Sequence, residues 1–236
     1  MMKSLDVVIL CGGLGKRLRT AVGESQKTMA AIDGRPFLDL QIDYLLHQGF
    51  QRIILSMGYH ADEVKGHFSQ KRNGLTVEFS QEEEPLGTGG AVVHAKKLIQ
   101  SDSFVVLNGD SFCDVDYASF FQFHQDREAL ATMALARMNV KEDYGDVMLD
   151  EYSRIIRFQE KVPADSQEGW VNAGVYCFQK GIFPFMPMQE RFSLEKDFFP
   201  VLIAQNFLGY QSAATFIDIG TPERYQKAQR ILRKAE

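Results

Sequence analysis

Apolar positions in the first hundred residues fall into short unbroken runs separated by stripes of helical spacing. Val7 to Leu10 is one such run, the pattern of a strand buried on both faces. Pro36 to Gly49 (PFLDLQIDYLLHQG) instead has apolar residues at 37, 38, 42, 45 and 46, one stripe of a helix closed by glycine. The alternation continues. Arg52 to Ser56 predicts a strand, Ala61 to Phe68 a short helix, Leu75 to Ser80 a strand, Thr88 to Ile99 a helix and Phe104 to Leu107 another buried strand. Such an order predicts an α/β fold, a doubly wound sheet covered by helices on both faces. Beyond it, Ala131 to Ala136, Asp146 to Leu149, Ile155 to Phe158 and Val171 to Phe178 are strand-like with short separations, predicting an antiparallel edge or a small substrate-side insertion. Phe192 to Phe207 and Pro222 to Lys234 read as helices, the second with a Thr-Pro start suited to a cap and first turn. With no repeat or linker in view, a single domain over residues 1–236 is expected.

Composition narrows the function classes. The 236 residues are 45% apolar and 24% charged, ordinary for a folded chain. A formal charge of −5 argues against a general nucleic-acid binder, so any cationic chemistry must be local. Cys11, Cys113 and Cys177 lack metal-ligand spacing and are expected to be buried, inert thiols. His47, His60, His67, His94 and His124 show no ligand spacing either and are expected on helix surfaces or core edges. No window approaches the roughly 18 apolar residues of a membrane span. A cytoplasmic protein with no membrane or nucleic-acid partner is the expectation.

The chemistry concentrates first in Cys11-Gly12-Gly13-Leu14-Gly15-Lys16-Arg17-Leu18, a glycine loop directly after a strand. Backbone N–H groups and a following helix start would suit an anion. The loop is not a Walker A motif, because Lys16 is followed by Arg17 rather than Ser or Thr. It is not a dinucleotide fingerprint either, since Leu18 stands where the third glycine belongs, which weakens a nicotinamide oxidoreductase reading. Taken alone, the loop could be a tight turn. Asp110 alone could be a turn cap after a strand, and Asp218 a turn residue before the last helix.

Ordered blocks along the whole chain resemble the sugar-1-phosphate nucleotidyltransferases. Their opening signature is matched by Gly12, Gly13, Gly15, Arg17, Leu18, Lys27 and Pro36, with two departures: Lys16 replaces a Thr and Gln26 replaces a Pro. Glu84-Pro85-Leu86-Gly87-Thr88-Gly89-Gly90-Ala91 looks like the base loop, and Leu107-Asn108-Gly109-Asp110 like the metal-binding strand end. Gln159-Glu160-Lys161 and Trp170-Val171-Asn172-Ala173-Gly174 look like the sugar-phosphate pocket, and Phe216 to Glu223 like the closing signature.

The resemblance implies a Rossmann-like, GT-A-like mixed sheet with a nucleotide-binding half at 1–112 and a sugar-phosphate half at 113–236. It implies transfer of a nucleotidyl group from a nucleoside triphosphate to a sugar 1-phosphate, with pyrophosphate released. Arg17 and Lys27 would be the catalytic cations on the leaving phosphates. Leu10, Gly12, Gly13, Gly15, Lys16, Gly87, Thr88 and Asn108 would line the nucleotide. Asp110 and Asp218 would hold Mg²⁺. Lys161 would take the sugar phosphate, Glu160 and Asn172 the sugar hydroxyls, and Gly145 would admit the ring. Guanine offers two parallel donors that a carboxylate matches, so Glu82 or Glu84 is expected to select GTP. Within the family the blocks look most like bacterial enzymes acting on D-glycero-α-D-manno-heptose 1-phosphate, with mannose 1-phosphate as the alternative. An end at Glu236 would leave no room for an appended β-helix. A non-catalytic nucleotide-sugar sensor is the reading from another class, and a homodimer is compatible with the family.

Overall fold

The computed structural model describes residues 2–13, 15, 17–18, 22–23, 25–69, 74–138, 144–159 and 168–232. Lys16, Glu160 and Lys161 lie outside the described residues.

The chain begins with β1 (Asp6–Leu10), then a small ribbon of β2 (Ala31–Ile32) and β3 (Arg35–Pro36), and α1 (Phe37–His47). Next come β4 (Arg52–Met57), α2 (Ala61–Phe68), β5 (Thr76–Gln81), α3 (Gly87–Ala95), β6 (Ser103–Asn108), β7 (Ser111–Cys113) and α4 (Tyr117–Asp126). The second half adds β8 (Ala131–Met138), β9 (Asp146–Leu149), β10 (Ile155–Gln159) and β11 (Gly169–Gln179). It ends with α5 (Phe199–Leu202), β12 (Phe207–Ser212), β13 (Phe216–Asp218) and α6 (Pro222–Leu232).

Among the described residues nine strands form one mixed sheet, with the path β10-β9-β11-β6-β1-β4-β5 and with β8 joining β11 to β12. The strands β6, β1, β4 and β5 run parallel, whereas β11 returns antiparallel to β6. Alternate residues of the central strands feed two separate cores. Val7, Ile9, Ile53, Leu55, Val105 and Leu107 face the side covered by α1, α2 and α4. Val8, Ile54, Phe104, Val106, Tyr176 and Phe178 face the side covered by α3 and the 182–203 segment. Burial on both faces explains why these strands are unbroken apolar runs in the sequence. A third, smaller cluster of Leu18, Ile32, Phe37, Ile217, Ile219 and Ala228 seats α6 against the first loop.

Two expectations need correction. Phe192 to Phe207 is not one helix: a π turn over Leu194–Phe198 runs into the four-residue α5, and Phe207 opens β12. The apolar residues there are needed on two elements, since Phe198 and Phe199 pack the core while β12 pairs with β8. His124 is not at a core edge but fully buried, where desolvation lowers its pKa to about 4 and its Nδ1 meets the Thr132 hydroxyl at 2.8 Å. The three cysteines are buried as expected, and burial pushes the Cys11 and Cys113 thiols up to about 12.

At the end of the sheet away from the loop cluster, Asp6 is 2% exposed and ion-paired with Arg52, which also meets Glu78. Burial alone would raise the Asp6 pKa, but the Ser101 and Gln100 amides and Arg52 outweigh it and hold the carboxyl below its ordinary value. A depressed acid pKa contributes stability above the unfolded value of about 3.9, and that contribution is lost as pH falls through the native value. The stability gap between the wild type and Asp6→Asn, followed by urea unfolding, is therefore expected to close as pH drops below about 4.

Candidate active site

β1 and β6 run side by side and end together, Leu10 opposite Asn108. Their carboxyl ends open into a cleft of about 580 Å³, the place where ligands bind in open α/β sheets. Gly12, Gly13 and Arg17 come to it from the loop after β1, and Asn108, Asp110 and Ser111 from the end of β6. Glu82, Gly87 and Thr88 form another wall, while Gly145, Asn172 and Asp218 enter from the second half.

Lys27 is held by the residue before it. Gln26 adopts φ −60°, the angle proline would impose, and caps the 3-10 turn Lys27–Met29. Its side-chain amide donates to the Cys11 carbonyl and accepts from the Thr28 hydroxyl at 2.5 Å, while its backbone N–H donates to Glu63 at 2.8 Å. A proline could offer none of these bonds, so the departure keeps the turn and ties it to β1 and α2. Gly15, in the left-handed region at φ +57°, packs behind: a Cβ there would lie 3.1 Å from the Lys27 Cβ. Gly15 does not itself line the cleft.

The turn carrying Asp110 is fastened on three sides. The Gly109 N–H donates to the Leu10 carbonyl at 3.0 Å. The buried Gln41 amide donates to the carbonyls of Asn108 at 3.0 Å and Ser111 at 2.5 Å, and the Ile219 N–H donates to the Asp110 carbonyl at 2.9 Å. A Cβ on Gly109 would come within 2.7 Å of the Leu10 carbonyl oxygen, so this crossing requires glycine. The short β7–β13 ribbon then sets Asp218 opposite Ser111, one residue from Asp110. Lys27 Nζ meets Asp110 Oδ2 at 2.5 Å. A Cβ on Gly220 would lie 2.8 Å from Asp218 Oδ1 and 3.7 Å from the same ammonium. The two aspartates and Lys27 thus share one corner.

On the wall formed by residues 82–88, Glu82 is 7% exposed and accepts from the Leu86 N–H at 3.0 Å. Burial raises its pKa, with the Leu86 bond and His94 pulling the other way. Glu84 is exposed and does not line the cleft. The glycines of the Gly87-Thr88-Gly89-Gly90 block also serve packing. The N–H groups of Gly89 and Gly90 donate to the Phe192 carbonyl, and a Cβ on Gly89 would strike the Phe192 ring at 2.1 Å. Thr88 donates to Glu195 at 2.7 Å and accepts from the Leu194 N–H, which brings Glu195 and Arg191 to the cleft.

On the opposite wall, the Asn172 N–H donates to the Gly145 carbonyl at 3.0 Å, and its side chain is engaged by Tyr176 and the Gly174 N–H. Among the described residues, the buried Asn108 Oδ1 and Ser111 Oγ have no hydrogen-bond partner.

Sequence reasoning missed Tyr144, Arg224, Gln41, Arg191 and Glu195. Tyr144 and Arg224 both contact Asp218 and line the cleft. Their neighbours Gly145 and Thr221-Pro222 were the available signal. Gln41 is a polar residue on the apolar stripe of α1, which is the mark of a side chain serving a buried backbone.

Comparison with known proteins points the same way as the cleft. The family model described as Nucleotidyl transferase matches residues 6–235. A D-glycero-alpha-D-manno-heptose 1-phosphate guanylyltransferase from Aneurinibacillus thermoaerophilus is 42% identical over 97% of this chain and 98% of its own. One from Campylobacter jejuni is 36% identical over 94% and 97%. The crystal structure of HddC from Yersinia pseudotuberculosis complexed with GMP-PN superposes with a TM-score of 0.85 at 38% identity, covering 97% of this chain and 99% of that one. By this match over nearly its full length, the chain belongs to the nucleotidyl transferase family.

Proposed function

We propose that this chain transfers the guanylyl group of GTP to D-glycero-α-D-manno-heptose 1-phosphate and releases pyrophosphate. The observation that carries the reading is the shared corner of Lys27, Asp110 and Asp218 at the ends of β1 and β6, with Arg17 on the same cleft. The names of the two bacterial relatives support the sugar and the base.

In the transfer, an oxygen of the sugar phosphate attacks the α-phosphorus as the bond to the β-phosphate bridging oxygen breaks, and that electron pair leaves on pyrophosphate. Both reactants are anions, so the protein's work is alignment and charge neutralisation. Lys27 and Arg17 would sit on the leaving phosphates, and Lys16 would serve the nucleotide as the family resemblance implies. The Gly12 and Gly13 backbone, Leu10, Gly87, Thr88 and Asn108 would border the nucleotide. Glu82 rather than Glu84 would read guanine, because only Glu82 borders the cleft. Gly145 and Asn172 would face the sugar, with Glu160 and Lys161 completing its pocket.

Mg²⁺ fits the donors on hand. It is a hard ion commonly held by one or two carboxylates together with substrate phosphates, and Asp110 and Asp218 are the carboxylates of this corner. No group of three or more His, Cys, Asp or Glu side chains suited to a metal occurs among the described residues, so phosphates and water would complete the shell. Bound there, the ion would polarise the phosphoryl oxygens. No helix among the described residues is long and apolar enough to cross a membrane.

The direct test is a pyrophosphate-release screen with Mg²⁺, the four common nucleoside triphosphates and a panel of heptose and hexose 1-phosphates. GTP with the heptose phosphate is expected to give the highest kcat/KM. A preference for mannose 1-phosphate would transfer the assignment to that sugar, and silence for every pair would overturn the transferase reading in favour of the sensor. Lys27→Ala is expected to lower turnover by about two orders of magnitude, as loss of other preorganised charge does. Glu82→Gln separates base reading from folding. A raised carboxyl pKa means the ionised side chain subtracts stability as pH rises through its ordinary value, so the amide should leave Tm unchanged or higher at neutral pH. Preference for GTP over UTP and dTTP should fall in the same variant, by competition assay.

A further inference from the structure

The Asp218 side chain accepts three hydrogen bonds, and its donors come from two separate parts of the chain. Oδ1 accepts from the Gly220 N–H at 2.9 Å and from Arg224 Nη1 at 3.2 Å. Oδ2 accepts from the Tyr144 hydroxyl. Gly220 and Arg224 belong to the turn and first part of α6, next in sequence to Asp218, whereas Tyr144 is 74 residues away and directly precedes Gly145. The Arg224 guanidinium lies 4.3 Å from the centre of the Tyr144 ring, and Phe216 meets that ring edge-on at 5.5 Å. The Tyr144 ring is therefore placed by packing that does not depend on its hydroxyl.

Asp218 is only 11% exposed and Arg224 22% exposed, so neither group is reoriented freely by water. A carboxylate has about four acceptor positions. Three are taken by these donors, which fixes the plane of the group and leaves acceptor capacity for a ligand in the cleft.

We infer that Tyr144 and Arg224 are positioning residues that hold Asp218 for a divalent cation, and that the Tyr144 hydroxyl ties the sugar-facing turn at Gly145 to that carboxylate. The inference rests on the proposed metal role of Asp218 and extends it. Gly145 is anchored on its other side by Asn172, whose N–H donates to its carbonyl, and a Cβ there would come within 2.9 Å of the Phe158 ring. The backbone that borders the sugar is thus pinned between the β11 wall and Asp218. A cation on Asp218 and a sugar phosphate against the Gly145 turn would therefore share one preformed frame, joined through the Tyr144 hydroxyl.

The experiment compares Tyr144→Phe, Arg224→Gln, Asp218→Asn and the Tyr144→Phe/Asp218→Asn pair. Mn²⁺ binding to each protein is followed by the free-ion EPR signal, and the KM for sugar 1-phosphate is measured separately. Tyr144→Phe keeps the ring and its packing, and thermal melts check that each variant folds. Loss of groups that orient a metal ligand commonly weakens metal affinity by tenfold or more. Tyr144→Phe and Arg224→Gln should each weaken Mn²⁺ binding by about tenfold. Tyr144→Phe should also raise the KM for sugar 1-phosphate, and should raise it no further once Asp218 is Asn. Unchanged Mn²⁺ affinity in Tyr144→Phe and Arg224→Gln, with binding lost in Asp218→Asn, would overturn the positioning role and leave the metal reading standing. Full Mn²⁺ affinity in Asp218→Asn would overturn both.

Discussion

The fold depends at its working end on keeping opposite charges together where two parallel strands stop. Lys27 and Asp110 meet at the end of β1 and β6, and Asp218 is brought beside them by a three-residue ribbon. Leaving such charges without partners in a half-buried corner would be costly, so each is held by a counter-charge or by aimed N–H and O–H groups. Gln26, Gln41 and Tyr144 supply much of that holding from three different elements. Acidic and cationic groups placed this closely suit a triphosphate and its metal, because an anionic ligand can draw on the cations while the metal draws on the carboxylates.

The glycines around the corner follow from the same crowding. Gly109 passes under the end of β1, and a side chain there would collide with the Leu10 carbonyl. Gly89 and Gly90 allow the 190–194 segment to lie against the start of α3, whose first N–H groups are capped by the Phe192 carbonyl. That segment brings Arg191, and Glu195 directly after it, to the cleft. The glycine block expected at the nucleotide base thus also joins its wall of the cleft to a part of the chain a hundred residues later.

Much of the fold was legible in the sequence because the central strands are buried on both faces, and a short, largely β-branched run bounded by turn residues, such as Val7 to Leu10, is the pattern that burial between two layers imposes on a strand. The two ribbon strands were not, since three residues such as Ser111–Cys113 and Phe216–Asp218 are too short to show a period. The single helix expected over Phe192 to Phe207 failed because aromatic density there serves the core, whatever the local backbone does. α4 was passed over although Asp116 caps it through the Ala118 and Ser119 N–H groups, a signal the sequence did carry. In the site, the charged residues stood out through ordered blocks that resemble a family. Tyr144, Gln41 and Arg224 did not, because a phenol, an amide or a guanidinium outside those blocks gains its role only from the tertiary partner it meets.

Asp110 and Asp218 are proposed to face one divalent ion on the triphosphate. The most direct measurement is a crystal structure of the protein with a non-hydrolysable GTP analogue and Mn²⁺, the ion located by its anomalous scattering. We expect one ion in bonding distance of an oxygen from each aspartate and of the analogue's phosphates, with Lys27 on those phosphates. An ion bonded to the nucleotide alone, with the two carboxylates turned away from it, would contradict the account.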